Sequence, residues 1–330
     1  MTSEQAAGHL LALCELRNIH ARSYSLSSYP ELALSAQCLA KKGIGYSSIR
    51  DRLAEPAGDP RELGIGIPSM ERYWTVFGTA LDDAGADCSF CGEQHLAFIG
   101  QLLHTMGLDR LRDSLHIAIK QQPFAAGIAF DLSESGDRRA GILVRPDGMN
   151  SLFVAAHELG HALLYIQRTG DLRFIPSWLD ESHAYLVEDN NGLIRNVMRL
   201  YFSPAQVDRL FSVRETLRML DRNRVYASFL TEEALWEAVD QPRTSERKKM
   251  EIVTGRCRAA YRRLVGAEYD DPLQWAFDSF RSVDPVYVHS YNMAQDIAAS
   301  MLESSATLPV YSVSTDAIRR LLRKIPANNP

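Results

Sequence analysis

Several absences narrow the class of this chain before any motif is considered. No apolar run approaches the ~20 residues needed to cross a bilayer, which excludes an integral membrane protein built on spanning helices. Positive charge is not in excess: 36 Lys and Arg stand against 41 Asp and Glu, a formal net charge of −5. There is therefore no electrostatic case for nucleic acid as the main partner. Cysteine is sparse and odd in number, with Cys14, Cys38, Cys88, Cys91 and Cys257 the only five, which argues against a disulfide framework. The opening segment MTSEQAAGHLLALCELRNIHARS lacks the basic stretch, apolar core and small-residue cleavage site of a secretory signal, so a cytoplasmic location is expected.

What is present is an ordinary globular composition, 46% hydrophobic and 23% charged over 330 residues. A chain of this length buries a core without help from an ion, so a metal found here is expected to do chemistry rather than hold the fold. Cys88 and Cys91 form a CxxC pair with His95 nearby. No second pair completes four ligands, and two thiols in a surface turn is the plainer expectation.

The texture of the chain predicts a mainly α fold. Helices are expected over 4–20, 31–42 and 93–120, with a Gly- and Pro-rich loop at 54–69 between them. The stretch 121–148 alternates short apolar runs with turn residues, as a hairpin or small sheet does, and Arg139 to Val144 is the best strand candidate. From Asn150 the pattern is helical again, over 150–168, 178–200, 204–222, 225–239, 244–264 and 290–303. The organisation expected is an N-terminal helical region, 1–120, and a catalytic helical domain, 121–330, with the small sheet just ahead of its first helix.

That first helix carries the chemistry. In SLFVAAHELGHALLYI, His157 and His161 are one turn apart and project from one face, with Glu158 beside them. This is the HExxH arrangement, in which two imidazoles bind one zinc ion and the glutamate acts as general base. A catalytic zinc wants a third protein ligand and an open position. Downstream, PSWLDESHAYLVED offers Glu181, with Glu188 or Asp180 as substitutes, on a second predicted helix. Nineteen residues separate His161 from Glu181, enough for the chain to turn back and pack the second helix on the first. Glu188, two turns beyond Glu181 on the same face, could instead hydrogen-bond a ligand histidine.

HELGHALL followed by ESHAYLVE resembles the gluzincin metallopeptidases of the thimet oligopeptidase and oligoendopeptidase F superfamily, and the related Taq-type thermostable carboxypeptidases. FLTEEALWEA, RAAYRRLVGAE and DPVYVHSYNMAQDIAASML are similar to later segments of that family, so the likeness extends in patches over roughly 121–303. It implies a helical zincin-like fold, Zn2+ as cofactor, a peptide or peptide-like substrate, and Glu181 as third ligand beside His157 and His161. It also implies that Tyr287 or Tyr291, with His289 between them, stabilises the oxyanion over the zinc. The family's strand ahead of HExxH lines the substrate cleft, and an extended peptide is expected to pair with an edge strand near 139–144. The chain is much shorter than typical members.

A second reading comes from SAQCLAKKGIGYSSIRDRL (35–53), which resembles a helix-turn-helix with Gly43 at the turn and Ile49, Arg50 and Arg52 on the second helix. HExxH domains joined to such a module occur in regulatory proteases of the ImmA/IrrE type. In that reading Glu188 is the third ligand and DNA or a repressor is the partner. Leu39 stands where that motif usually has alanine.

Overall fold

A computed structural model describes residues 1–37, 46–53, 64–85, 90, 92–123, 126–133, 137–146, 148–167 and 175–304. The expected mainly α architecture with a small sheet is what these residues form. The chain order is α1 (Ser3–Ser23), α2 (Tyr29–Ala36), α3 (Tyr46–Leu53), α4 (Tyr73–Ala84), α5 (Gly92–Thr105), β1 (Leu115–Ile119), β2 (Gly127–Asp131), β3 (Ala140–Val144), α6 (Asn150–Gln167), α7 (Ser177–Glu188), α8 (Asn191–Met198), α9 (Pro204–Val239), α10 (Glu246–Leu264), α11 (Ser279–Ser282) and α12 (His289–Ser304). Among the described residues, no helix is long and apolar enough to cross a membrane.

These elements group into two compact units, each discontinuous in sequence. One contains Met1–Val76 and Thr216–Asn292; the other contains Phe77–Glu215 and the described chain from Met293. The boundary expected after residue 120 falls inside the second unit, between β1 and β2.

In the first unit, Thr2 opens α1 with a capping box, its side chain accepting from the Gln5 backbone while Gln5 reaches back to the Thr2 amide. The helix then buries Ala6, Ala7, Leu10, Leu11, Cys14 and Ala21, a stripe at helical spacing. Of the helix-turn-helix reading, Leu39 and Gly43 lie outside the described residues. Ile49 is fully buried, and Arg50 is paired with Glu233 at 3.2 Å.

The second unit carries the sheet, in the order β1-β3-β2, with β1 parallel and β2 antiparallel to β3. Two expectations change here. Residues 115–119, read as the end of a helix, form a strand, because LHIAI alternates and its Leu115, Ile117 and Ile119 pair beside Ala140, Ile142 and Val144. Arg139 to Val144 does contain a strand, but β3 is the central one, flanked on both sides, so it offers no edge to a peptide. The edges belong to β1 and β2. Further on, 178–200 is two helices, with the Asn190 side chain capping α8 at Leu193, whereas 204–222 and 225–239 are one unbroken helix.

α6 lies in the interior of this unit. Its side chains are buried around almost the whole circumference, as for a helix covered on more than one face. On one face, Gly127 of β2 sits where a Cβ would come within 2.5 Å of Val154 Cγ1 and 2.7 Å of Glu158 Cγ. On another, a Cβ at Gly160 would lie 2.5 Å from Ala184 Cα and 2.6 Å from the His183 carbonyl oxygen. The obstruction at Gly160 is backbone, which cannot rotate away, so α6 and α7 cross this closely only because residue 160 has no side chain. A Gly160→Ala change gains about 0.5–1 kcal/mol of helix propensity but overpacks the crossing at a cost of about 1–3 kcal/mol. Urea unfolding is therefore expected to show a net loss of stability from a substitution that would stabilise an isolated helix.

Candidate metal centre

The close crossing of α6 and α7 brings three sequence-predicted residues together. His157 Nε2 and His161 Nε2 are 3.2 Å apart, and Glu181 Oε2 lies 3.3 Å from the first and 3.8 Å from the second. Among the described residues these three are the group of His, Cys, Asp or Glu side chains arranged to hold a metal ion. Donor atoms bound tetrahedrally at zinc–ligand distances of about 2.0–2.2 Å sit about 3.3–3.5 Å from one another. Two sides of the observed triangle, 3.2 and 3.3 Å, are near that spacing, and the third, 3.8 Å between His161 and Glu181, is longer.

The hydrogen-bond partners of the two rings fit as well. His157 Nδ1 donates to Glu188 Oε2 at 2.9 Å, and His161 Nδ1 donates to Asp180 Oδ1 at 2.6 Å. With the proton on Nδ1 in each ring, both Nε2 lone pairs point into the triangle together with a carboxylate oxygen. Three electron-rich atoms facing one another are mutually repulsive unless a cation or proton sits between them. The donor set, two imidazoles and one carboxylate, is that of a catalytic zinc site, and the residues present fit zinc. Asp180 and Glu188, substitutes for the third ligand in the sequence reading, are instead the carboxylates behind the two histidines.

Both carboxylates are themselves held, by residues to which the sequence assigned no role. Tyr165 OH, from α6, donates to Asp180 Oδ2 at 2.9 Å. Arg214, from α9, donates through Nη2 to Glu188 Oε1 at 3.0 Å and to Asp189 Oδ1 at 2.8 Å. Helical spacing places Tyr165 one turn from His161 on the same face as His157 and Glu158, without showing what it bonds. Arg214 has no such mark, since nothing in its neighbourhood distinguishes it from the other arginines of a long polar helix. Gly127 was likewise invisible, because its role depends on a strand meeting Glu158 from thirty residues away.

Glu158, next to His157 in the chain, is buried. Burial raises its carboxyl above the usual range; the nearby His161 and His157 pull it down, and Glu181 and Asp180 push it up again. Of the remaining predicted residues, Tyr287, His289 and Tyr291 belong to the first unit. Tyr287 and Tyr291 pack with Phe280, ring centroids 5.6–5.9 Å apart. His289 is fully enclosed, its Nε2 donating to Gln37 Oε1 at 3.2 Å, and burial pushes the ring down to about 3. That is the setting of a neutral core histidine, closed to a substrate oxygen. In the second unit, His95 is also fully buried and donates to Ser151 Oγ at 2.6 Å, while Cys88 and Cys91 lie outside the described residues.

The ligand histidines make a pH prediction with a definite sign. Burial opposes the charge on both rings, but the Glu181 and Glu188 carboxylates outweigh it at His157, and Asp180 and Glu181 outweigh it at His161, pushing that ring up from 6.5 to about 9. A histidine raised in the folded state stabilises the metal-free chain fully below pH 6.5, and that contribution is lost as pH rises through about 9. A zinc ion held through Nε2 would have to displace this proton, so its binding would release protons and tighten over the same window. The difference in melting temperature between zinc-loaded and chelator-treated protein should therefore widen from pH 6.5 to 9; a difference that narrows contradicts the assignment. Comparison of the chain with protein-family models and with curated proteins finds no match in either.

Proposed function

We propose that the protein is a zinc metallopeptidase acting on peptides or peptide-like substrates, in the manner of the gluzincins its motifs resemble. The observation that carries this reading is the triangle of His157 Nε2, His161 Nε2 and Glu181 Oε2 with Glu158 buried alongside. Zinc bound there would supply Lewis acidity, which polarises a carbonyl and lowers the pKa of water. The remaining work falls to side chains of this chain. Glu158 takes the proton from the attacking water on its carboxylate and delivers it to the leaving amine. Its raised affinity for a proton, caused chiefly by burial, suits a base that must also act as an acid near neutral pH.

Asp180 and Glu188 keep His161 and His157 in the tautomer that presents Nε2. β2 is a natural place for an extended substrate. It is hydrogen-bonded to β3 on one side, and its first residue, Gly127, lies against Val154 and Glu158. A peptide added to the other side would be held through backbone hydrogen bonds that do not depend on its side chains.

The test uses purified protein with one equivalent of zinc and a set of internally quenched fluorescent peptides. Wild type is expected to cleave at least one, and to stop on chelation. Glu158→Gln should keep its zinc and lose about 10²–10⁴ in kcat, the usual weight of a general base. Full activity in a metal-replete Glu158→Gln protein would sink this mechanism.

A further inference from the structure

We infer that Arg214 is a positioning residue of this centre: it sets the affinity for zinc by fixing the carboxylate of Glu188 against His157. The inference rests on the zinc reading above and adds to it a residue from a third helix. Arg214 is buried, at 8% exposure. One of its nitrogens, Nη2, reaches Glu188 Oε1, the Glu188 carbonyl oxygen at 3.1 Å, and Asp189 Oδ1. Its guanidinium carbon stands 4.4 Å from the centroid of the Phe153 ring. Phe153 lies one turn ahead of His157 on α6, and Glu188 is the last residue of α7. A single side chain thus ties both ligand-bearing helices together at the end of the site nearest His157.

The two oxygens of Glu188 are divided between two tasks, Oε1 accepting from Arg214 and Oε2 from His157 Nδ1. A carboxylate bound at both oxygens cannot swing, so the direction of the His157 ring follows from where Arg214 stands. The two histidines are treated differently in this respect. Behind His161, Asp180 is steadied by a neutral phenol; behind His157, Glu188 is steadied by a fixed positive charge that also offsets the burial of two neighbouring carboxylates. A purely structural role is the alternative, since a cation at the carbonyl end of α7 stabilises any helix. Such a role would lower the stability of the metal-free chain and leave zinc affinity in the folded protein unchanged.

The experiment measures zinc alone binding to the full chain, by competition with a chromophoric chelator, in wild type, R214M, R214K, E188Q and the R214M/E188Q double variant. Circular dichroism of each metal-free protein checks its fold. Wild type should bind one equivalent. R214M should bind about 10- to 100-fold more weakly, the range typical of partners behind a ligand histidine. R214K should fall between, because an ammonium can reach Glu188 but does not reproduce the guanidinium's contact over the Phe153 ring. E188Q should weaken binding too, and R214M should add little in that background, since its effect passes through Glu188. If R214M does not fold, R214K compared with and without E188Q makes the same test. Wild-type affinity in both Arg214 variants, or an undiminished Arg214 effect in E188Q, overturns the inference while leaving the zinc reading intact. A wild type that binds no zinc takes down both.

Discussion

The feature on which the rest of the centre depends is the crossing of α6 and α7 at Gly160. A Cβ there would overlap the backbone of residues 183 and 184, and the helix separation that results from its absence places Glu181 within 3.3 Å of His157 Nε2. The same separation sets Asp180 and Glu188, on either side of Glu181 along α7, behind the two rings. Pushing the helices apart by an ångström would lengthen all of these contacts together. Glycine in a helix interior is unfavourable by about 0.5–1 kcal/mol, and here it is what lets α6 and α7 pack at this distance.

Packing alone does not explain why so many acids gather at this point. Glu158, Asp180, Glu181 and Glu188 surround two imidazoles, with Arg214 as the charged partner of Glu188. Ionised carboxylates gathered around one point repel one another, and the imidazoles and Arg214 between them offset that repulsion. The neighbouring carboxylates raise the proton affinity of His157 and His161 despite their burial, and burial raises that of Glu158. A divalent cation would relieve the repulsion more completely.

Much of this was legible in the sequence because it is local. His157, Glu158 and His161 follow from helical spacing alone, and Glu181 and Glu188 from the same spacing on the next helix. The mainly helical texture and the small sheet ahead of α6 were readable from periodicity. What escaped was set by tertiary partners. LHIAI at 115–119 became a strand because β3 stood beside it, five residues being too few to distinguish the two periods. The central position of β3 depends on that same parallel neighbour, which is why an edge was expected where none exists. Arg214 and Gly127 act on the site across long sequence separations and leave no local signature. His289 illustrates the opposite case, a polar residue inside a resemblance motif whose surroundings are those of a core position.

Metal binding is proposed at three side chains, His157, His161 and Glu181. Zinc content of the purified chain, measured by inductively coupled plasma mass spectrometry after dialysis against zinc and then buffer, is expected to be one per molecule in wild type. It should be close to zero in His157→Ala, His161→Ala and Glu181→Ala. Zinc retained at one per molecule in all three, with each protein folded, would contradict this proposal.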